Sequence, residues 1–299
     1  MAQGAASSGR QAGWQDDAPG DVLAAYADSA PTGWPRPGGT SDPDFFRRCF
    51  RALSPVGPGL LTGYYEPELA ASPIPTDRFA HPLHAPPEGF DGGIWFTRRE
   101  IETHGHLAGR EIVWVENALD AFLAQVQGSV RARLPDGSVL RLGFARKNGH
   151  PYASIGKELV RRGEVPSQKI SVPAIRHWCA RNPGLVRDLL WSNPSYVFFR
   201  TLDLPPDRGP VGTAGVPVTR LCSIAVDPDQ IPLGAPVWVD SPGQPDLPRL
   251  CIAQDTGSAI TGPGRADLFC GSGDAAGDRA GTLRATCHLT VLVPKDPAP

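Results

Sequence analysis

From Tyr196 to the C-terminus the sequence is a succession of short apolar runs, YVFFRTL, SIAVD, APVWVD, RLCIAQD and LTVLVP, separated by Gly and Pro turns. Apolar runs of this length, bounded by turn formers, fit strands better than helices, so the last third of the chain is predicted to be a β domain. The same punctuation extends over the whole molecule. The 34 Gly and 33 Pro are spread through 299 residues, and because Pro fixes φ and removes a backbone donor, many short elements are favoured over long helices. The length suggests two domains.

Residues 1–40 are rich in Ala, Gly, Ser and Pro and lack apolar periodicity, which predicts a mostly disordered N-terminal segment. Order is expected to begin at SDPDFFRRCFRAL, a short amphipathic helix with Asp42 as cap and Phe45, Phe46, Cys49, Phe50 and Leu53 on one face. GLLTGYYEPEL is β-prone up to Pro67, and REIVWVEN reads as a strand. ALDAFLAQVQ has helical spacing, and SVRARLPDGSVLRLGFA alternates around Pro135-Asp136-Gly137 as a β-hairpin does. Further short helices are expected from Ser154 and near Pro173 and Pro183.

Several classes of chemistry are excluded or disfavoured. With 29 basic and 31 acidic residues the net charge is -2, so no positive field exists to hold nucleic acid or an anionic membrane surface. No apolar run approaches a membrane span, and the N-terminus lacks the charged-then-apolar pattern of a signal peptide, so a soluble chain is expected. There is no GxSxG elbow, P-loop or GxGxxG cradle. The six cysteines show no CxxC or zinc-type spacing and read mostly as buried small hydrophobes. The pairs His81/His84 and His104/His106 lack a third ligand and read as solvated loop histidines, so neither a metal nor a cofactor is expected.

Carboxylates remain. Asp227, Asp255 and Asp267 each lie at or beside an apolar β run with Gly or Pro close by, which puts them at strand ends. Asp227, followed by Pro228, fits an Asx-turn or cap. Asp255 and Asp267 bracket the segment DTGSAITGPGRAD, whose small residues let a bulky ligand approach the backbone. Tyr64 and Tyr65 are adjacent in a strand and therefore point to opposite faces, so one of them is free to offer a flat ring and a hydroxyl to a sugar.

The strings GYYEP, DAFLAQVQGS, NGHPYASIG, NPSYVFFR, GVPVT, AVDPDQIPLGAPVW and AQDTGSAI...RADLFCGSGDAAGDRAG, in this order, resemble the membrane-bound lytic murein transglycosylase A (MltA) family with its C-terminal three-aspartate (3D) domain. The resemblance covers about Phe46 to Pro294. It implies a double-psi β-barrel domain from residues 41–76 plus 205–299, a second, inserted β-rich domain with a few short helices at 77–204, and a large groove between them. It further implies a peptidoglycan-cleaving enzyme of the Gram-negative envelope, periplasmic or outer-membrane-associated, acting as a monomer on a glycan strand. In the motif RADLF the catalytic acid falls on Asp267, with Asp255 as its neighbour. Tyr64, Tyr65, Glu66, Gln125, Gln127 and Ser195 fall in the motifs expected to contact sugar, while Arg265 and Arg279 read as solvated surface residues. Two other readings stay open at this point: an inverting glycoside hydrolase using Asp255 and Asp267, and a non-catalytic glycan-binding or wall-loosening module.

Overall fold

The computed structural model describes Trp14 and residues 20–295. In chain order the elements are α1 (Gly20–Ser29), α2 (Phe45–Cys49), β1 (Phe50–Ala52), β2 (Val56–Glu66), β3 (Glu68–Ser72), β4 (His81–His84), α3 (Arg98–His104), β5 (Glu111–Val115), α4 (Ala118–Gln127), β6 (Ser129–Arg133) and β7 (Val139–Lys147). They continue with α5 (Ile155–Arg161), α6 (Val172–Arg181), α7 (Val186–Trp191), β8 (Val197–Thr201), β9 (Ser223–Val226), β10 (Pro236–Asp240), β11 (Arg249–Asp255), β12 (Arg265–Ser272), α8 (Asp274–Thr282) and β13 (Arg284–Pro294). The described residues divide into two compact units, one formed by those up to 63 with 211–271 and 283–295, the other by 64–210 and 272–282. Relative to the expected boundaries, residues 64–76 and α8 pack with the second unit.

In the first unit the strands run β1-β13-β10-β11-β9-β12-β2, and β13 also pairs with β2. The pairings of β2, β12, β9, β11, β10 and β13 therefore return to their starting point and close a ring, which leaves those six strands without a free edge. The registers of β10 with β11 and with β13, of β12 with β9 and of β13 with β2 are antiparallel, and that of β9 with β11 is parallel. The continuous apolar character of SIAVD and APVWVD follows from this placement. Ser223–Val226 and Pro236–Val239 are buried at every position, as strands covered on both faces must be.

One of those covers is α1. Val22 and Tyr26 are fully buried, and they pack with Phe45, Phe46, Phe50, Trp238, Leu250 and Ile252. The Tyr26 hydroxyl donates to Pro35 O at 2.7 Å. Arg36 caps the C-terminal end of α1, donating to Ala27 O and Ala30 O, a cation at the negative end of the helix dipole. The expectation of disorder over residues 1–40 thus fails for residues 20–40, because the few large side chains in that stretch all find the same apolar surface. The part before Gly20, Trp14 apart, lies outside the described residues. The helix expected from Pro43 to Leu53 is also shorter: it ends at Cys49, and Phe50 opens β1, opposite Pro294 of β13. All six cysteines are thiols, five of them buried.

The second unit is built on a sheet in the order β4-β5-β3-β6-β7-β8. α4 lays Ala121 and Ala124 on it, and its other side meets α5, α6 and α7 through Leu119 and Phe122. Asn117, Ser154 and Ser171 cap α4, α5 and α6 by accepting a backbone N–H three residues on, which explains why these helices begin where the sequence predicts. His84 departs from the loop reading. It lies at the end of β4, buried, with Nδ1 at 2.8 Å from the Tyr196 hydroxyl, and burial lowers its pKa to about 4.

The ring closes only because two glycines meet. A Cβ on Gly59 of β2 would lie 1.9 Å from Gly264 O, and Gly264 itself has φ +75°. Gly59→Ala is therefore expected to lower stability by about 3 kcal/mol, the upper range for overpacking, a change that calorimetric unfolding will register as a fall in Tm.

Candidate active site

Asp267 lies in β12 with Ala225 of β9 as its register partner. Its carboxyl is partly buried, and Oδ1 accepts a hydrogen bond from Thr62 Oγ1 of β2 at 2.5 Å. Thr62 in turn accepts from Arg265 Nη2 at 2.8 Å, while Arg265 Nη1 donates to Leu60 O and Ala266 O. The guanidinium is thus committed to strand backbone and to the threonine, which replaces the solvated reading of Arg265. Burial raises the Asp267 pKa to about 6, against the Thr62 hydrogen bond and the Arg265 charge, which lower it; the Asp255 charge adds to the rise. Desolvation wins, so near neutral pH this carboxyl is poised to give a proton and to take one back.

Asp255 ends β11. Its Oδ1 accepts from Thr213 N, Thr213 Oγ1 and Thr256 N, at 3.0, 3.0 and 2.9 Å. Three donors on one oxygen fix the carboxylate in place. The Thr213 loop comes this close because Gly212 has no side chain; a Cβ there would be 2.5 Å from Gln254 O and 3.3 Å from Asp255 Cγ. Asp227 fills the turn role expected of it, accepting from Asp229 N and from Gly262 N at 2.6 Å. In doing so it pins the loop that leads into β12.

The second unit holds the other residues singled out in the sequence, and they divide into two groups. Tyr65 is partly buried, its N–H donates to Gln127 Oε1 at 3.1 Å, and a Cβ on Gly277 of α8 would meet its ring at 2.9 Å. Tyr64, partly buried, precedes it on β2. Glu66 is 0% exposed. Its carboxylate accepts from Arg131 Nε at 2.6 Å, from Arg141 Nη2 at 2.8 and 3.0 Å and from Ser272 Oγ at 2.8 Å. Gln125 and Ser195 are buried around Arg98, whose Nη2 donates to Gln125 Oε1 at 2.6 Å and to Ser195 O at 2.8 Å. The Arg98 guanidinium also lies over the rings of Phe122 and Tyr196.

Sequence reasoning missed Thr62, Thr213 and the structural use of Arg265. Thr62 stands inside the quoted motif LTGYYE, two residues before Tyr64, but nothing local in a strand announces a partner 205 positions away.

Comparison with known proteins agrees with this layout. Residues 60–200 match the MltA specific insert domain, and residues 222–293 match the 3D domain. The chain is 38% identical over 244 residues to membrane-bound lytic murein transglycosylase A of Escherichia coli K12, a stretch that covers 78% of this chain and 65% of that protein. Two crystal structures are similar as well. A membrane-bound lytic murein transglycosylase from Agrobacterium tumefaciens aligns at 34% identity and TM-score 0.77 over 92% of this chain and 84% of that one. E. coli MltA with bound chitohexaose aligns at 33% identity and TM-score 0.72 over 80% and 73%. A 3D domain joined to an MltA insert defines the class of the protein. The chain belongs to the MltA family.

Two outcomes follow from the charges. Removing the buried Glu66 carboxylate leaves Arg131 and Arg141 uncompensated, so Glu66→Gln is expected to cost about 3–5 kcal/mol in denaturant unfolding. At Asp267 the sign is opposite. Between the ordinary carboxylate pKa and about 6 the native protein holds a proton that the unfolded chain has released, so this group's contribution to stability falls as pH rises through that window. Asp267→Asn is expected to raise Tm at about pH 7 to 8, by the equivalent of at most about 3 kcal/mol, and the gain should vanish below about pH 4.

Proposed function

We propose that this protein is a peptidoglycan lytic transglycosylase that cleaves the β-1,4 bond between N-acetylmuramic acid and N-acetylglucosamine, with Asp267 acting first as acid and then as base. The observation that carries the reading is the Asp267 carboxyl itself: half-buried, hydrogen-bonded by Thr62, and protonated to about pH 6. As acid it gives its proton to the bridging glycosidic oxygen while the C1–O bond breaks and an oxocarbenium-like centre forms at the muramyl C1. The resulting carboxylate then removes the proton from the muramyl C6 hydroxyl as O6 bonds to C1. The acid is regenerated, no water is consumed, and the product ends in a 1,6-anhydro sugar.

Asp255 keeps a negative charge near Asp267, which favours the protonated acid before cleavage and helps to stabilise the oxocarbenium-like centre. The closed ring of the first unit is read as the double-psi β-barrel of this family. Among the second unit's residues, Tyr64, Tyr65 and Gln127 are carried forward as sugar contacts. Glu66 and Gln125 are assigned to the framework instead, because their side-chain oxygens already accept from arginines, and so is Ser195, which is buried with its backbone N–H and carbonyl held by Asn193 and Arg98. The substrate is the glycan strand of the Gram-negative envelope, met at the periplasmic or outer-membrane side by a monomer. Since the chain spans 65% of the length of the curated relative it matches, the activity is a proposal for this chain.

Mass spectrometry of soluble products from purified peptidoglycan tests the reading. Wild type should release muropeptides about 18 Da lighter than hydrolysed ones, the water that the intramolecular attack excludes, and Asp267→Asn should release none. Products of hydrolysed mass would favour the two-carboxylate hydrolase, and absence of release by both proteins would overturn cleavage altogether.

A further inference from the structure

Strand β11 contains one residue too many for its partner. Ile252 and Ala253 pair with Ser223 and Ile224 of β9, yet the next residue of β9, Ala225, pairs with Asp255, so Gln254 is a β-bulge. A bulge re-aims the side chain that follows it, and here that side chain is Asp255. In a regular pairing Gln254 would stand opposite Ala225, and Asp255 would move on by one position to the other face of the strand. The direction of Asp255 therefore depends on whatever holds the bulge.

The Gln254 side chain is 0% exposed. Its Oε1 accepts from Ser223 Oγ at 2.5 Å, and its Nε2 donates to Ala25 O at 2.8 Å and to Ser29 Oγ at 2.9 Å. Ser29 Oγ donates to the same Ala25 carbonyl at 2.9 Å. Ala25 and Ser29 belong to α1, which lies outside both family-matched stretches. That helix is fixed independently of Gln254. Tyr26 and Val22 are buried in the aromatic cluster, and the chain at Gly234 packs so tightly on α1 that a Cβ there would be 2.0 Å from Ser29 O. Losing the amide would leave the Ser223 hydroxyl without its Gln254 acceptor and take one donor from Ala25 O and one from Ser29 Oγ, so these three hydrogen bonds favour the bulge.

We infer that Gln254 is a positioning residue: its amide, locked between Ser223 and helix α1, holds the β11 bulge and so aims the Asp255 carboxylate toward Asp267. This makes α1, a segment without a sequence motif, part of the apparatus that sets the acid. The inference rests on the reading of Asp267 as acid. The charged and titratable groups bearing on Asp267 are Arg265 on its own strand and Asp255 on β11; β2 contributes the neutral Thr62, and Arg284 and Cys287 on β13 act on Arg265.

The test compares Gln254→Met, which keeps length and shape but loses all three hydrogen bonds, with Ser29→Ala, which loses one. The readouts are the 13C titration of the Asp267 carboxyl, kcat and KM on peptidoglycan, and Tm. Gln254→Met should titrate Asp267 at lower pH than wild type, because the Asp255 charge has moved away. Its kcat should fall by about 10- to 100-fold with KM little changed, as misplacement of a catalytic group does, and Ser29→Ala should show the same changes in smaller measure. A lower Tm with an unchanged Asp267 titration and unchanged kcat in both variants would overturn the inference and leave Gln254 a purely structural residue. If Gln254→Met does not fold, Ser29→Ala decides alone. Wild-type protein inactive on peptidoglycan would refute the cleavage reading, whereas the Asp267 titration would still decide whether Gln254 aims Asp255.

Discussion

The site in the first unit depends on the closure of β13 onto β2. Registers from Arg284 opposite Thr62 to Leu289 opposite Val56 bring the N-terminal strand into a ring otherwise made by the C-terminal third of the chain. The direct pairing of β12 with β2 sets Thr62 beside Asp267, and the pairing of β2 with β13 holds that strand from its other side. The closure demands backbone contact closer than any side chain permits: Gly59 meets Gly264, and a Cβ on Gly57 would lie 2.6 Å from the His288 ring and 2.9 Å from Cys287 O. Two glycines on β2 and one in the loop before β12 are thus requirements of the fold. Their conformational cost in the unfolded chain is offset by a ring with no exposed edge among its six strands.

Closure also sets the electrostatics. Thr62 and Arg265 both stabilise the Asp267 carboxylate, and on the surface they would hold its pKa below the usual range. Burial reverses the balance by removing water from the carboxyl, and the Asp255 charge adds to it. A hydrogen bond from a neutral hydroxyl compensates desolvation only in part, whereas a guanidinium aimed directly at the carboxylate would have compensated much more. Arg265 instead spends its donors on Leu60 O, Ala266 O and Thr62. The positive charge reaches the acid through a threonine, which orients the carboxyl and leaves it able to hold a proton.

Local chemistry made much of the fold legible in the sequence. The caps at Asn117, Ser154 and Ser171, the turn between β6 and β7 and the uninterrupted apolar runs of β9 and β10 each follow from residues within a few positions of one another. What was not legible depends on distant partners. α1 looks like a tether because it lies in a stretch rich in Ala, Gly, Ser and Pro, yet one tyrosine and two aliphatics suffice once Phe45, Phe46 and Phe50 are there to receive them. α8 contains two glycines in DAAGDRAGT, against helix propensity, and the reason for one of them, Gly277, is the Tyr65 ring packed against it.

The motif TGYYE shows why position in a motif does not by itself assign a role. Alternation along β2 puts Thr62, Tyr64 and Glu66 in one phase, with Tyr65 in the other, so a reading by face would group the first three together. Burial and partners separate them. Thr62 orients the acid, whereas Glu66 is enclosed by Arg131, Arg141 and Ser272, with both carboxylate oxygens engaged. A carboxylate so enclosed cannot exchange its partners for a sugar hydroxyl without leaving the buried Arg141 and the partly buried Arg131 without their counter-charge, a loss no single neutral hydrogen bond repays. Asp267, by contrast, accepts from the Thr62 hydroxyl and has a pKa within reach of neutrality. Of the carboxylates the sequence brought forward, it is the one whose proton is free to move.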